Sequence, residues 1–288
     1  MSEIRVHGRA NAGPLALKFW TSLFVALLFL EVQGSSQSLG QTCRLAIATC
    51  SKFPWVNDLP ETVDTASFLQ SCFQQFSKNQ DSADIWQNGS SREFLNWTQM
   101  IARKGNPKQN LILYFSTHQR SDGRTRFSDG QDLSPSELIG ALNDLAKNYQ
   151  RVLFINDSCY AANLEKKGAF AENIVRLYSA QADEIALDLQ FGKGPFGLSK
   201  FIEEDLKWLR SELNWTGKGM SFVTLMALKA GRIVTTKKSD LDIGTLFIEM
   251  KRCRDLYDEQ VRQSKVPHFV LVPADARFPI FATQSHGK

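Results

Sequence analysis

The stretch Val152-Leu-Phe-Ile-Asn-Asp-Ser-Cys-Tyr160 (VLFINDSCY) is a short apolar run that stops abruptly on Asn156, Asp157, Ser158 and Cys159. An uninterrupted run of this length predicts a strand buried in a core rather than a half-exposed one, which would alternate. A carboxylate and a thiol at its end mean one of two things. Either the chain is turning there, or a sheet presents chemistry at its carboxyl edge.

The flanking sequence favours the second. A similar buried run, Asn110 to Ser116 (NLILYFS), lies upstream between Pro107 and His118. Asp122-Gly123 and Ser128-Asp-Gly-Gln131 punctuate a hairpin or loop after it. Ser134, Pro135 and Glu137 then form a capping box that opens a helix running to about Asn148. Nearer the start, Arg44 to Cys50 (RLAIATC) predicts a first strand. Thr62 to Phe76 predicts a helix with Val63, Ala66, Leu69, Cys72, Phe73 and Phe76 on one face. Glu93 to Ala102 predicts a shorter helix. Alternating strands and helices imply an α/β fold with a mostly parallel central sheet and helices on both faces. In such sheets, catalytic groups collect beyond the carboxyl ends of the strands.

The second half is less regular. Ile174–Ser179 and Glu184–Leu189 are candidate strands, Leu198–Leu213, Ser221–Ala230 and Leu241 to about Gln260 candidate helices, and His268–Val272 the last strand. The loop Gly192-Lys-Gly-Pro-Phe-Gly197 matches G-x-G-x-x-G, which raises dinucleotide binding and an oxidoreductase. Pro195 lies inside it and no clear strand completes a βαβ unit, so a loop beside a substrate groove is the preferred reading.

Composition sets the bounds. The chain has 288 residues, 43% apolar and 22% charged, enough for one large α/β domain or two small ones. A net charge of +4, scattered along the chain, gives nucleic acid no support as a partner. Residues 1–34 read as a secretory signal peptide: Arg5, His7, Arg9 and Lys18, then a 12-residue apolar block from Phe19 to Leu30, then small residues near Gly34. That block is short for a membrane span. An exported protein is expected, with membrane association only if the segment is retained as an anchor. A polar linker follows at 35–42, the folded domain at 43–282 and a tail at 283–288.

Five cysteines (Cys43, Cys50, Cys72, Cys159 and Cys253) leave one thiol over in an exported chain. With Cys159 as that thiol, the other four allow two disulfides in three pairings. Cys50 and Cys72 also read as small buried hydrophobes. Asn88, Asn96, Asn156 and Asn214 head glycosylation sequons.

A cysteine nucleophile needs a base and donors for the oxyanion. Of the four histidines, His7 lies in the signal region, His286 at the carboxyl terminus, and His268 opens a strand. His118 alone sits just past a buried strand in a polar loop. If the strands ending at Ser116 and Asn156 are parallel neighbours, His118 and Cys159 emerge side by side. No His/Cys pair has metal-ligand spacing, and no Gly-x-Ser-x-Gly elbow occurs.

Four stretches resemble the caspase-like cysteine peptidases, caspases and metacaspases in particular. LILYFSTH resembles the family's strand ending in Ser-x-His-Gly, and VLFINDSCYAAN its strand ending in Asp-x-Cys. VDTASFLQSCFQQF resembles the helix after the first strand, and QSKVPHFVLVPADARFPIF the closing strand and tail. The resemblance implies a caspase-like three-layer fold and hydrolysis of peptide bonds in a peptide or protein substrate. It makes Cys159 the nucleophile and His118 the general base and acid. The backbone N–H groups of Gln119 and Cys159 would form the oxyanion hole. Asp64, Ser116 and Asp157 match the metacaspase specificity pocket, which implies cleavage after Arg or Lys. No cofactor is implied, although some metacaspases use calcium. The chain departs from the family at Gln119, where the family has Gly, and it lacks the caspase QAC-R-G signature. The alternative is therefore an inactive, exported caspase-like binding module.

Overall fold

A central sheet orders the chain in the computed structural model, which describes residues 43–76, 83–190, 205, 207–211, 215–217, 219–236, 241–261 and 266–281. Its elements, in sequence, are β1 (Cys43–Thr49), α1 (Pro60–Phe76), β2 (Asp84–Gln87), α2 (Ser91–Arg103), β3 (Asn110–Ser116), β4 (Thr125–Arg126) and β5 (Asp132–Leu133). They continue with α3 (Pro135–Ala146), β6 (Arg151–Asn156), a 3-10 turn (Ala161–Lys166), β7 (Ile174–Tyr178), β8 (Asp188–Gln190) and β9 (Gly219–Ser221). The last are α4 (Phe222–Thr236), β10 (Leu241–Asp242), α5 (Ile243–Val261), β11 (Val270–Val272) and β12 (Pro279–Phe281).

Six strands form the main sheet in the order β11-β7-β6-β3-β1-β2. All neighbours are parallel except β11, which runs antiparallel to β7. Side-chain alternation divides the core into two layers. Leu45, Ile47, Ile112, Tyr114, Leu153 and Leu177 face one layer, with Ala66 and Leu69 of α1, Met226 of α4 and Leu246 of α5. Ala46, Ala48, Leu111, Leu113, Phe115, Val152 and Phe154 face the other, with Phe94 of α2 and Leu142 of α3. Since both faces are covered, β3 has no exposed residue and its sequence shows no polar alternation. This is the mostly parallel α/β sandwich that the sequence predicts.

Local chemistry sets the element ends. The capping box predicted at Ser134 forms: Glu137 N–H donates to Ser134 Oγ at 3.3 Å and Ser134 N–H to Glu137 Oε2 at 3.0 Å. A second box, Ser90 with Glu93, opens α2. The predicted hairpin is β4 paired with β5, turned by Gly130 (φ 78), and Gly123 (φ 89) makes the preceding turn between Gln119 and Thr125. Aromatic contacts hold it over the sheet: Phe127 lies 5.3 Å from Phe94 and 5.6 Å from Trp86, ring centre to ring centre.

Several elements differ from the sequence reading. β2 was not anticipated: its four residues are mostly half-buried at the sheet edge, where Asp84 pairs with Arg44 and Lys104. The strand expected at Glu184–Leu189 is Asp188–Gln190, and it pairs with β9 outside the main sheet. The helix expected from Ser221 starts at Phe222 because Ser221 ends β9. Of the helix expected at Leu198–Leu213, only residues 205 and 207–211 are described, and they are helical. The Gly192–Gly197 loop, the signal region, the linker, the tail and Asn214 lie outside the described residues. Among those residues, no helix is long and apolar enough to cross a membrane.

Candidate active site at the carboxyl rim

Parallel pairing of β3 with β6 sets Phe115 opposite Asn156, and the register continues past both strand ends. Asp157 N–H donates to Phe115 O at 2.7 Å. Thr117 N–H donates to Ser158 Oγ at 3.3 Å, and Gln119 Nε2 donates to Tyr160 O at 3.0 Å. Asn156 Nδ2 closes the set on Gln119 Oε1, also at 3.0 Å. These bonds join the residues on either side of His118 to the residues on either side of Cys159. Both are partly exposed on the same rim.

The His118 ring is fixed from a third strand end. Its Nε2 lies 2.8 Å from the carbonyl oxygen of Asn57, and its ring centre 4.6 Å from that of Phe53. A carbonyl can only accept, so Nε2 carries the proton and Nδ1 is the basic nitrogen of the neutral ring. Asn57 belongs to the loop after β1, and that loop is well held. Cys50 N–H donates to Ser116 O and Leu59 N–H to Ser51 O. Ser51 N–H, Ser51 Oγ and Lys52 N–H all converge on Asn88 Oδ1, at 2.7, 3.0 and 3.2 Å. Asn88 adopts φ 54, a left-handed conformation that Asn tolerates better than most residues. Sequence reasoning did not single out Asn57, and it read Asn88 only as the head of a sequon. The first acts through a carbonyl that every residue has, and only the left-handed preference of Asn hinted at the second.

Gln119 is accommodated without strain. Its φ is not positive, and its side chain is buried at 3% exposure, turned toward Asn156 and Tyr160. Arg126 N–H donates to His118 O and Arg120 N–H to Arg124 O, both at 2.8 Å. In antiparallel pairing these two bonds flank the Gln119–Thr125 bridge, so the N–H of Gln119 points away from the hairpin.

Two of the three expected pocket residues, Asp64 and Asp157, flank β9. Gly219 N–H donates to Asp64 Oδ2 at 3.1 Å, and Ser221 N–H to Thr65 Oγ1 at 3.2 Å. A Cβ on Gly219 would come within 2.8 Å of Leu189 O and still closer to Glu61, so glycine permits this close approach of β9 to α1. Asp157 is 5% exposed and accepts from Tyr114 Oη at 2.5 Å. Burial raises its pKa, while hydroxyls of Ser221, Tyr114 and Ser179 pull in the opposite direction without cancelling the rise. The structure thus brings Asp64 and Asp157 to opposite ends of one short strand. Ser116 is buried at the end of β3, opposite Thr49. The hydroxyl shell of Tyr114, Ser179 and Ser221 was missed because no spacing in the sequence connects three serine and tyrosine residues from separate strands.

Two of the other cysteines, Cys50 and Cys253, are unreactive by position. Cys50 and Cys253 are buried thiols outside any disulfide, so the two-disulfide arrangement is not formed. Burial raises the pKa of both. Cys159 is a half-buried thiol. Asn156, the head of one sequon, is fully buried and hydrogen-bonded, which removes it as a glycosylation site in the folded protein. Among the described residues, no cluster of His, Cys, Asp and Glu is arranged to hold a metal ion.

Comparison with known proteins adds fold and a partial relative. No family model matches the chain. It is similar to the GPI-anchor transamidase of Schizosaccharomyces pombe, with 30% identity over 78 residues. That match spans 26% of this chain and only 20% of the transamidase. Among solved structures, it resembles caspase-1 from Spodoptera frugiperda with a TM-score of 0.53, covering 84% of this chain and 95% of that one at 11% identity. The fold is caspase-like.

Proposed function

We propose that the chain is a cysteine endopeptidase in which Cys159 is the nucleophile and His118 the general base and acid. The observation that carries this reading is the cross-linked rim, where bonds from Thr117 and Gln119 to Ser158 and Tyr160 flank both residues. The Asn57 carbonyl supports it by leaving His118 Nδ1 as the basic nitrogen. In the first half-reaction, the Cys159 proton passes to His118 and the sulfur adds to the scissile carbonyl carbon. The N–H groups of Gln119 and Cys159 are the donors for the oxyanion. Collapse breaks the C–N bond, His118 returns its proton to the leaving amine, and a thioester remains. Water, deprotonated by His118, then releases the acid and restores the thiol.

Selectivity for Arg or Lys is the finer part of the proposal. It rests on two carboxylates, Asp64 and Asp157, along β9. Because Asp157 is enclosed by hydroxyl donors, an arriving cation must exchange with at least one of them. A second reading is favoured by the transamidase match: the thioester is captured by an amine instead of water. Residues 1–34 are retained as an export signal in both readings.

The test is alkylation and peptide turnover by the full chain. Iodoacetamide should modify Cys159 at least about tenfold faster than an ordinary thiol, because in this reading His118 takes its proton. Cys159→Ala should abolish turnover of Arg and Lys peptides. Ordinary reactivity together with no turnover leaves the non-catalytic binding module as the surviving account. Turnover without a basic preference removes the pocket assignment alone, and product diverted to added hydroxylamine in preference to water favours amine transfer.

A further inference from the structure

We infer that His268, Glu184 and Arg254 form a relay that positions the nucleophile turn, so that a second histidine serves Cys159 through the backbone. The inference rests on the peptidase reading above. β11 runs antiparallel to β7 with Val270 opposite Tyr178, which brings the residues before Val270 to the same carboxyl rim as Cys159. His268 Nδ1 lies 2.5 Å from Glu184 Oε1, and the His268 N–H donates to Glu184 Oε2 at 2.7 Å. On the other side of the ring, Arg254 Nη2 lies 2.7 Å from His268 Nε2. A guanidinium has no acceptor, so Nε2 must accept and Nδ1 carries the proton that points at Glu184. The relay therefore has a direction: Arg254 donates to His268, and His268 donates to Glu184. Arg254 is itself held by Val266 O at 3.0 Å and Asp255 at 2.8 Å, with Asp258 at 3.7 Å.

The loop that bears Glu184 holds the residues immediately after the nucleophile. Tyr160 N–H donates to Glu184 O at 2.7 Å, Ala162 N–H to Ala180 O at 3.2 Å, and Asn163 Nδ2 to Ala182 O at 2.7 Å. Glu184 closes its own loop by accepting from Gln181 N–H at 3.1 Å. Tyr160 has φ 55, a conformation disfavoured for a bulky residue and maintained only by its surroundings. Releasing the Cys159–Tyr160 peptide would loosen the backbone that carries the Cys159 thiol. The pair of His268 and Glu184 is partly solvent-exposed, at 48% and 23% of the side chains, and such pairs contribute little to global stability. Its loss should therefore appear in reactivity far more than in melting.

The experiment uses the full chain as wild type, His268→Ala, His268→Gln and Glu184→Gln. It follows iodoacetamide alkylation of Cys159, kcat and KM on a cleaved peptide, amide exchange at Tyr160 and Asn163, and melting temperature. His268→Ala and Glu184→Gln should slow alkylation and lower kcat about tenfold, part of what an ångström of misplacement costs. KM and melting should hardly change, and exchange at Tyr160 should speed up. His268→Gln keeps one donor and one acceptor and should recover most of the loss. Wild-type alkylation and exchange in His268→Ala overturn the relay, as does a fall in reactivity matched by a fall in melting temperature. If the wild-type Cys159 is itself unreactive, the peptidase reading fails, and exchange at Tyr160 still decides whether the relay tethers the turn.

Discussion

Replacing Gln119 by glycine restores the residue that caspase-like peptidases carry after their histidine, and here it should do harm. The Gln119 amide is almost fully buried, accepts from Asn156 and donates to Tyr160, each at 3.0 Å. Asn156 is fully buried and its Oδ1 already lacks a partner among the described residues, so Gln119→Gly leaves that amide stranded. A buried donor without a partner costs about 1–3 kcal/mol, and the second bond contributes about 0.5–1.5 kcal/mol. The added backbone freedom of glycine costs roughly 0.5–1 kcal/mol more. The sum is about 2–5.5 kcal/mol, which for a domain of this size is a melting-temperature drop on the order of 10 °C. Urea unfolding with an unchanged slope would assign the loss to the native state. Alkylation of Cys159 should slow as well, because the bond from Gln119 to Tyr160 helps fix the histidine loop to the nucleophile turn. A glycine variant that melts with the wild type, or alkylates faster, refutes the argument. Gln119 would then be a tolerated departure instead of a tether.

Two further outcomes follow from the core and the pocket. Asp157 has a folded pKa above its unfolded one, because burial disfavours its charge. The folded protein thus binds the Asp157 proton more tightly, and the contribution to stability falls as pH rises from the ordinary aspartate range through the folded value. Asp157→Asn should leave melting at neutral pH unchanged or higher while removing any preference for Arg or Lys. A large loss of stability at neutral pH would show instead that the Tyr114, Ser179 and Ser221 hydroxyls favour the carboxylate outright. Phe94→Ala should cost about 3–5 kcal/mol in urea unfolding, since Phe94 is fully buried between Phe115, Phe127 and Trp86; a cost under about 1 kcal/mol would mean that the hairpin over the site does not depend on this cluster.

What the sequence revealed depended on how far a signal repeats. VLFIN and NLILYFS were legible as buried strands because branched and aromatic residues run through them without a break. Ser134 with Glu137 was legible because a capping box has fixed spacing. DIWQ was not, since four residues at a sheet edge have no period and their polar Asp84 is explained only by Arg44 and Lys104 from elsewhere. β8 and β9, with three residues each, are defined by pairing with one another and by the approach of Gly219 to α1. At the candidate site, sequence could single out side chains with distinctive chemistry but not the groups that support them. His118 and Cys159 stand out among few histidines and cysteines, whereas the Asn57 carbonyl and the Glu184 loop act through backbone atoms.

Strand parity sets Ser116 and Asp157, two of the candidate pocket residues, on one side of the sheet. Along β6, Leu153 and Ile155 face the layer of α1, α4 and α5, and Asp157 continues that parity one step beyond the strand. Along β3, Ile112 and Tyr114 face the same layer, and Ser116 is the next in series. The contact of Tyr114 Oη with Asp157 is a direct consequence, since side chains of the same parity on paired strands share a face. A slip of one residue in β6 would turn Asp157 to the opposite layer, against Phe115 and α3, and would break the bonds that tie Thr117 and Gln119 to Ser158 and Tyr160. The apolar alternation that stabilises the two layers is therefore what fixes the register of the rim.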